Sequence, residues 1–588
     1  MSPLAETVTR AVRAGLGGAR SHRPQDRRSR GPHLFPVLTG GMLTAPILAG
    51  LAGTLVPSFG HLPAIGAVGP TLAPWRDLFA DPAFPQAAVL SLTTGLAATL
   101  ISFFLAIAIV CTAQVSGRLV RVQRVLGPLI ALPHAALAVG LMFLLAPSGW
   151  LARLVSPWLT GWVMPPDLLI VNDPAGVALV LALVLKETPF LVLMMLAALS
   201  QIPSDRYVAI ARSQGYRPAT GWLKTVFPQI YPRIRLPLFA VVAFSLTVVD
   251  MAVVLGPTTP PTLAVLVVRW FSGADLSTRL TGAAGALTLC LMVAGVLVAW
   301  IMTERLARRS LTGMLSSGSR SVGAAATIAV GHGAGVWVVA MSGLAGLGLL
   351  VWSLAERWRY PDALPSAWRF SGWAETWPSL AGPALTTVIV AVSAAVIAIV
   401  LAVGCLETER RHGLKPGPGI LWLVYAPLIV PQIGFLFGIQ VLTAALGVTG
   451  TLAALVWVHV IFVLPYVFLT LAESWRRIDE RYDRTAAALG AGPLRRLITI
   501  TLPLMFRPLA TAAAIGVAVS AALYLPTVFI GAGRLPTLAT ETVGMAAGGD
   551  RRLMALYAFV LMVVPWLAFS VALALPRIVY RNRKGMGG

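Results

Sequence analysis

The chain alternates long apolar runs with short polar segments, and the runs have the length of membrane-spanning helices. A hydrocarbon core about 30 Å thick requires about 20 apolar residues in a helix. Twelve runs have this length, with the approximate bounds 34–57, 87–113, 127–147, 175–199, 236–255, 281–302, 328–353, 385–405, 420–442, 452–471, 509–530 and 553–575. Barrel strands are about 10 residues long and alternate strictly, unlike these runs. The pattern predicts an all-α polytopic membrane protein with about 12 transmembrane helices.

Four clusters of arginines lie on one side of the predicted spans. They cluster before the first span and after spans two, six and twelve, at Arg118, Arg121, Arg124, Arg305, Arg308, Arg309, Arg577, Arg581 and Arg583. These segments share one side of a twelve-span chain, so the positive-inside rule predicts that both termini are cytoplasmic. The loops of the opposite side are rich in tryptophan, which anchors proteins at membrane interfaces.

Composition agrees with a bilayer environment. The 588 residues are 57% hydrophobic and only 11% charged, whereas soluble domains carry roughly 25% charged residues. The formal charge of +23 would suggest nucleic acid in a soluble protein. Here the arginines lie in short segments between apolar runs, so we expect a lipid bilayer and no nucleic acid as partner.

The chain repeats itself once, at a fixed offset of 275 between residues 206–264 and 481–539. Fainter matches pair Pro133 and Gly140 with Pro431 and Gly438. Each half would hold six spans, so the halves point the same way and a path between them is expected. The predicted units are a basic cytoplasmic tail (1–33), a first half (34–310, core about 85–302), a cytoplasmic linker (311–327) and a second half (328–588, core about 385–575).

One polar segment on the arginine-rich side occurs in both copies of the repeat. The spacing i, i+4, i+8 places three of its residues on one helical face in each copy, namely Tyr207, Ala211 and Gly215, and Tyr482, Ala486 and Gly490. A face of small residues allows another surface to approach closely. The alternative is that both glycines are helix C-caps, followed by prolines that bar continuation of the helix.

These segments resemble the EAA loop of ABC-importer permeases, which reads Glu-Ala-Ala, three residues, Gly and then Leu-Pro. The first copy runs from Ala209 to Gly215, with Pro228 thirteen residues further on. In the second copy Gly490 is followed thirteen residues later by Pro503. The family glutamate is replaced by Ala209 in one copy and by Arg484 in the other.

The resemblance covers about 85–580 and implies a MetI-like permease core in each half. Loops 206–232 and 481–508 would then be coupling segments for two copies of an ABC ATPase, with a periplasmic substrate-binding protein on the other side. Fused permeases of this length are similar to those of the ferric-iron and thiamine importers. The implied location is the bacterial inner membrane.

The chain itself is not expected to be an enzyme. The phosphate-binding pattern G-x4-G-K-[ST] does not occur in it, and no cluster of His, Cys, Asp or Glu has metal-ligand spacing. We therefore expect no cofactor and no metal in this chain, with ATP used by the partner subunit.

Ionisable residues within the spans are candidates for the substrate path, because each costs roughly 2.5–3.5 kcal/mol on insertion scales. They are His134, Lys186, Glu187 and Asp250. One interpretation is that they pair structurally with each other or with backbone groups, and the other is that they contact substrate. If Lys186, Glu187 and Asp250 carried protons or sodium, the chain would instead be an ion-coupled secondary transporter with two six-helix halves.

Overall fold

The computed structural model describes residues 34–316, 318–320, 324–414, 417–546 and 548–581. The predicted basic tail, 1–33, lies outside these residues. A short 3₁₀ turn occupies Pro63–Ile65. The α-helices of the first half are α1 (Leu34–Ser58), α2 (Ala73–Ala80), α3 (Phe84–Val115), α4 (Leu119–Ile130), α5 (His134–Leu145), α6 (Trp150–Val155), α7 (Val177–Leu199), α8 (Ser204–Ser213), α9 (Pro218–Thr225), α10 (Phe227–Thr247), α11 (Asp250–Leu255), α12 (Leu263–Ser272) and α13 (Thr278–Ser316).

The second half repeats this order of helices. A two-stranded antiparallel ribbon, β1 (Ala355–Arg357) and β2 (Ala367–Trp368), follows its first helix. A π-helical turn occupies Leu497–Thr501. The α-helices are α14 (Ala324–Leu354), α15 (Ser371–His412), α16 (Pro418–Ile429), α17 (Gln432–Ala445), α18 (Leu452–Arg476), α19 (Glu480–Ala488), α20 (Pro493–Arg496), α21 (Leu502–Leu504), α22 (Phe506–Ala522), α23 (Leu525–Gly531), α24 (Leu538–Met545) and α25 (Arg551–Val579).

The number of membrane-spanning helices agrees with the sequence pattern. Within the described ranges, ten helices are long and apolar enough to cross a membrane. Two bent pairs raise the number to as many as twelve, and they are Gly419–Ile429 with Gln432–Ala445, bent by 81°, and Pro493–Leu504 with Phe506–Ala522, bent by 77°. The prediction of an all-α polytopic membrane protein is confirmed.

The third span of each half is broken where the sequence suggested one continuous run. Helix α4 ends at Ile130 and α5 begins at His134, while α16 ends at Ile429 and α17 begins at Gln432. The residue before each new helix is a proline in extended backbone, Pro133 (φ −63°, ψ 143°) or Pro431 (φ −52°, ψ 123°). Proline lacks an N–H and disfavours helical backbone in the residue before it, so the matched prolines place the same break in both halves.

The first helix of each half packs on the core of the other half. Helix α1 lies against α17, and α14 lies against α3 and α5. A Cβ built on Gly438 would lie 1.9 Å from the carbonyl oxygen of Gly50, and one on Gly140 would lie 2.7 Å from that of Ala345. The matched glycines of the repeat therefore allow close approach of an exchanged helix. We call α1 and α14 the exchanged helices.

A second repeated contact explains the matched Pro-Thr-Leu-Ala stretches. The backbone N–H of Leu263, at the start of α12, donates to Ser91 Oγ on α3 at 2.9 Å. The backbone N–H of Leu538, at the start of α24, donates to Thr387 Oγ1 on α15 at 2.9 Å. Each bond satisfies a helix N-terminal donor that has no partner within its own helix.

The two halves share one apolar core. The ring of Phe271, on α12, stacks on Phe437 of α17 with centroids 4.3 Å apart and meets the edge of Phe529 at 5.7 Å. The connection between the halves is short, because α13 runs to Ser316 and α14 begins at Ala324. Parts of the segment predicted as linker, 311–327, are thus helical.

Candidate functional site

The first candidate loop, 206–232, begins with α8, which ends in a glycine cap. Gly215 has φ +81°, a conformation that glycine adopts without steric cost. The N–H of Gly215 donates to Arg212 O at 2.9 Å, and the N–H of Tyr216 donates to Ala211 O at 3.1 Å. Such a pair of bonds satisfies the last carbonyls of a helix.

The second candidate loop, 481–508, ends its helix α19 in the same way. Gly490 has φ +80°, and its N–H donates to Ala487 O at 3.0 Å. The N–H of Ala491 donates to Ala486 O at 3.0 Å. The C-cap interpretation of both glycines is therefore confirmed, and the caps alone explain why glycine stands at these positions.

Of the small residues on the face predicted to receive a partner, the two alanines are buried, whereas Gly215 and Gly490 are exposed. Ala211 is 4% exposed, and a Cβ on Gly221 of α9 would lie 2.7 Å from the Ala211 methyl. Ala486 is 9% exposed. The two alanines thus allow the protein's own elements to pack closely, which corrects the argument that their size serves a partner. Pro228 lies in the first turn of α10 and Pro503 in α21.

Other residues of α8 and of the α19 cap form the outward surface. Ile210 is 47% exposed, and Leu489, beside the cap glycine of α19, is 83% exposed. The two copies differ at the predicted tyrosines, because Tyr207 is half-buried whereas Tyr482 is 56% exposed. Ile210 and Leu489 are thus large apolar side chains that α8 and the α19 cap expose to solvent.

The first loop is held by hydrogen bonds of one neutral side chain, Gln114. Gln114, at the end of α3, donates to Ser204 Oγ at 2.6 Å and to Asp205 Oδ1 at 3.0 Å. It accepts a bond of 2.6 Å from the indole of Trp222 on α9, which is fully buried. These contacts fix α8 and α9 to a long membrane helix.

The connection between the halves also reaches the first loop. The N–H of Arg217 donates to Arg320 O at 3.0 Å, and Lys224 Nζ donates to Ser319 O at 3.1 Å. The guanidinium of Arg320 lies over Gly215, 3.2 Å from where a Cβ would be. Sequence reasoning did not foresee these contacts.

The second loop is held by ion pairs instead. Glu407 accepts from Arg410 at 2.9 Å and from Arg411 at 2.7 Å. Asp483 of α19 accepts from Arg496 at 2.7 Å and lies 3.4 Å from Arg410. The network ties α19 and α20 to the end of α15.

Arg484, which stands where the family has a glutamate, also has an ionic partner. Its guanidinium donates to Glu480 at 2.5 Å, one turn earlier on the exposed face of α19. The side-chain hydrogen bond to Glu480 raises the pKa of Arg484. The surface at this position is therefore a solvated ion pair rather than a lone negative charge.

The four intramembrane candidates lie in the first half. Lys186 Nζ donates to Ile130 O at 3.0 Å and also to Leu132 O, the carbonyls at the break between α4 and α5. The ring of His134 packs on Phe244 with centroids 4.8 Å apart. For Lys186 this geometry agrees with the structural interpretation, since its ammonium replaces the missing helical donors at the break.

The two carboxylates are buried in the first half. Glu187 is 6% exposed and Asp250 is 7% exposed. Both are within electrostatic reach of a second-half tyrosine, Glu187 of Tyr466 and Asp250 of Tyr524. Asp250 Oδ1 accepts from the N–H of Met251 at 2.9 Å. Buried carboxylates of the first half and phenols of the second half therefore influence each other electrostatically.

Sequence reasoning missed a buried polar cluster in the second half. His459 is 1% exposed, and its ring nitrogens bond to Ser520 Oγ at 2.7 Å and to Thr527 Oγ1 at 3.1 Å. A lone histidine in an apolar run was the available signal. Among the described residues, no group of three or more His, Cys, Asp or Glu could hold a metal ion.

Comparison with known proteins gives relatives of one kind. The chain is 29% identical over 520 residues to the inner membrane ABC transporter permease protein YnjC of Escherichia coli (strain K12), covering 88% of this chain and 93% of that protein. No protein-family model matches the chain.

Two further relatives match a shorter stretch. A protein of Salmonella typhi named as a 2-aminoethylphosphonate transport system permease, PhnV, is 26% identical over 27% of this chain and 60% of its own length. The putrescine transport system permease protein PotI of Escherichia coli (strain K12) is 25% identical over 23% of this chain and 53% of its own length. The chain thus aligns with little more than half of each of these two proteins.

Proposed function

On the premise that this chain is a fused permease of the ABC-importer type, as its relatives support, we propose that it imports a small solute. The solute would pass from the periplasm to the cytoplasm through the inner membrane, between the two halves. Both chain termini would lie in the cytoplasm.

The observation that carries this proposal is the pair of loops on the arginine-rich side. Both place a short helix, α8 or α19, outside the long apolar helices, and both end it with the same glycine cap. Both expose a large apolar side chain, Ile210 or Leu489, next to charged residues. The two side chains stand at different positions of the repeat, since the offset of 275 pairs Ile210 with Thr485 and Leu489 with Gln214. Two capped helices, each with an exposed apolar side chain, suit two copies of an ABC ATPase, one on each loop.

The ATPases would supply the energy for transport. The chain has no phosphate-binding loop pattern of its own, so ATP would be bound and hydrolysed in the partners. Closure of the two ATPases would draw α8 and α19 together and turn the halves from inward-facing to outward-facing. A periplasmic binding protein would deliver the solute to the tryptophan-rich side.

The substrate path would follow the contact between the halves. Its first-half groups would be Glu187 and Asp250, which are both buried. Tyr466 and Tyr524 of the second half lie within electrostatic reach of them, so the path need not be chemically two-fold. The ion-coupled alternative relied on Lys186 as well, and its bonds to backbone carbonyls give that residue a structural role.

Co-purification with the candidate ATPase tests the docking proposal. We expect an Ile210→Arg, Leu489→Arg double variant to co-purify with about tenfold less ATPase than the wild type, or less still. The reason is that a charge replaces the exposed apolar side chain of each surface. These positions are preferable to Gly215 and Gly490, where any side chain would strain a cap with positive φ.

The matched control is Val120→Arg, on α4. Val120 is 59% exposed and lies among the arginines after the second span, outside the segments 206–232 and 481–508. The double variant must remain folded, as judged by a single gel-filtration peak. Equal ATPase recovery from the double variant and from the wild type would refute docking on these loops.

A further inference from the structure

A groove of about 820 Å³ opens beside the second loop. Its walls come from α15, α22 and the π-helical turn, with Phe35 of α1 and Leu575 of α25 at its edges. Most of the lining is aliphatic, including Val400, Val403 and Leu509. Val400 is 53% exposed and Leu575 42% exposed, so the groove opens toward the surface that a membrane helix presents to lipid.

The wall formed by α15 changes from apolar to charged along its length. Val400, Val403, Glu407 and Arg411 all line the groove, and their spacing keeps them on one helical face. At 1.5 Å per residue the four span roughly 16 Å of the helix. The apolar part lies toward the centre of the membrane and the charged part at its arginine-rich surface, which is the order of acyl chain and headgroup in a lipid.

The charged part carries an excess of positive charge. Three arginines, Arg410, Arg411 and Arg496, share two carboxylates, Glu407 and Asp483. Arg411 lines the groove, and its side chain is 34% exposed. Arg411 also donates to Pro493 O at 2.9 Å. The network has one more guanidinium than carboxylates, which matches the single negative charge of a phosphodiester, and arginine is well suited to bind phosphate.

The equivalent surface of the first half is covered by protein. At the repeat offset, Leu494 and Leu497 of the groove correspond to Ala219 and Trp222, which are both 0% exposed. The exchanged helix α14 packs on α9 there, and Ser319 accepts from Lys224. Leu494, by contrast, is 67% exposed. The groove therefore distinguishes the second half from the first, in which the equivalent positions are buried.

We propose that this groove binds one anionic glycerophospholipid. Its acyl chain lies along Val400, Val403 and Leu509, and its phosphate meets Arg411. Because Leu494 and Leu497 belong to the second loop, the bound lipid joins that loop to α15 and makes its position sensitive to membrane composition. The site does not depend on the identity of the transported solute or on the ATPase.

Native mass spectrometry of the full chain in detergent tests the site. Phosphatidylglycerol and phosphatidylcholine with the same acyl chains are the two probes. We expect one phosphatidylglycerol to bind at saturation, and Arg411→Gln to weaken it about tenfold, the effect of losing one charge-assisted hydrogen bond. Ala513→Trp, which fills the apolar part of the groove, should abolish binding of both lipids.

The matched control is Arg233→Gln, an exposed arginine on α10 of the first half, which should bind phosphatidylglycerol as the wild type does. Equal affinity for both lipids in the wild type, or wild-type affinity in Arg411→Gln, would overturn the proposal.

A photo-crosslinking amino acid at Leu497, in phosphatidylglycerol vesicles, identifies the natural occupant. A mass increase equal to one phospholipid is expected. A crosslink to residues 1–33 of the chain would show that the tail occupies the groove and would overturn the lipid assignment.

Discussion

At the scale of single residues, Lys186 shows how a charge within an apolar run can serve the fold. Its ammonium donates to carbonyls that the break between α4 and α5 leaves without helical donors. The same charge lies within electrostatic reach of Glu187 and Asp250. Removing one member of a buried charge group leaves the others uncompensated, which is costly.

Lys186→Met should therefore lower the free energy of unfolding by about 3 kcal/mol. The measurement is thermal unfolding in detergent. Adding Asp250→Asn to Lys186→Met should recover part of the loss, because it removes one of the uncompensated carboxylates. If the double variant is no more stable than the single one, Lys186 and Asp250 do not compensate each other.

The sequence located the intramembrane charges but not all the buried polar groups. Lys186, Glu187 and Asp250 stand out because charge is rare within spans. Arg153 was overlooked because it lies in a tryptophan-rich loop, yet it is 3% exposed. It donates to Arg359 O at 2.7 Å and lies over the Trp358 ring at 4.9 Å. Arg359 and Trp358 are about 200 positions away from Arg153 in the sequence, so no local sequence pattern predicts these contacts.

At the scale of helices, close packing depends on glycines that the repeat had already marked. Gly438 of α17 touches the backbone of α1, whereas Gly295 of α13 has nothing within 4 Å of where its Cβ would be. Without a strong hydrophobic force between helices in lipid, such small residues permit the backbone approach that holds them together.

Gly438→Ala should accordingly destabilise the protein by about 1–3 kcal/mol through overpacking. Gly295→Ala should be neutral or stabilising by up to about 1 kcal/mol, since alanine is the better helix former. Thermal unfolding of the two variants side by side provides the measurement. A Gly438→Ala variant as stable as Gly295→Ala would mean that α1 and α17 do not approach this closely.

Helix positions were predictable, but their breaks and packing directions were only partly so. The matched prolines Pro133 and Pro431 stand at the breaks, but both lie inside long apolar runs. A count of apolar residues therefore predicts one continuous span at each place. The inward direction of Ala211 depends on Gly221, ten residues further on, and on the turn at Gly215. A small residue looks alike in sequence whether its own chain or a partner approaches it.

At the scale of the whole molecule, the exchanged helices bind the halves together independently of their covalent link. Helix α1 packs on α17 and α14 on α3 and α5, while Phe271 stacks on Phe437. The sequence predicted two parallel halves but not this exchange, because no pattern within a span states which half it will contact.

Cutting the chain between the halves should therefore leave them associated. With a protease site inserted at 321–323, we expect both fragments to elute together in gel filtration after cleavage. Adding Gly140→Leu and Gly438→Leu, which crowd both exchanged helices, should release the fragments. Separation of the fragments without these two substitutions would contradict the exchange.

Because of the exchange, α1 is synthesised well before α17, the helix of the second half on which it packs. Gly50 of α1 meets Phe435 of α17, and translation at roughly 5–20 residues per second would deliver that partner about 20–80 s later. Until then α1 can pack on α13 of its own half but lacks this partner. The Thr54 hydroxyl of α1 has a hydrogen-bond partner before α17 is made, because Thr54 Oγ1 donates to Gly50 O at 3.0 Å within the same helix. When α17 has been inserted, Thr54 Oγ1 also accepts the N–H of Gly438 at 3.1 Å. The hydroxyl that is satisfied within α1 during synthesis therefore also binds the second half in the finished protein.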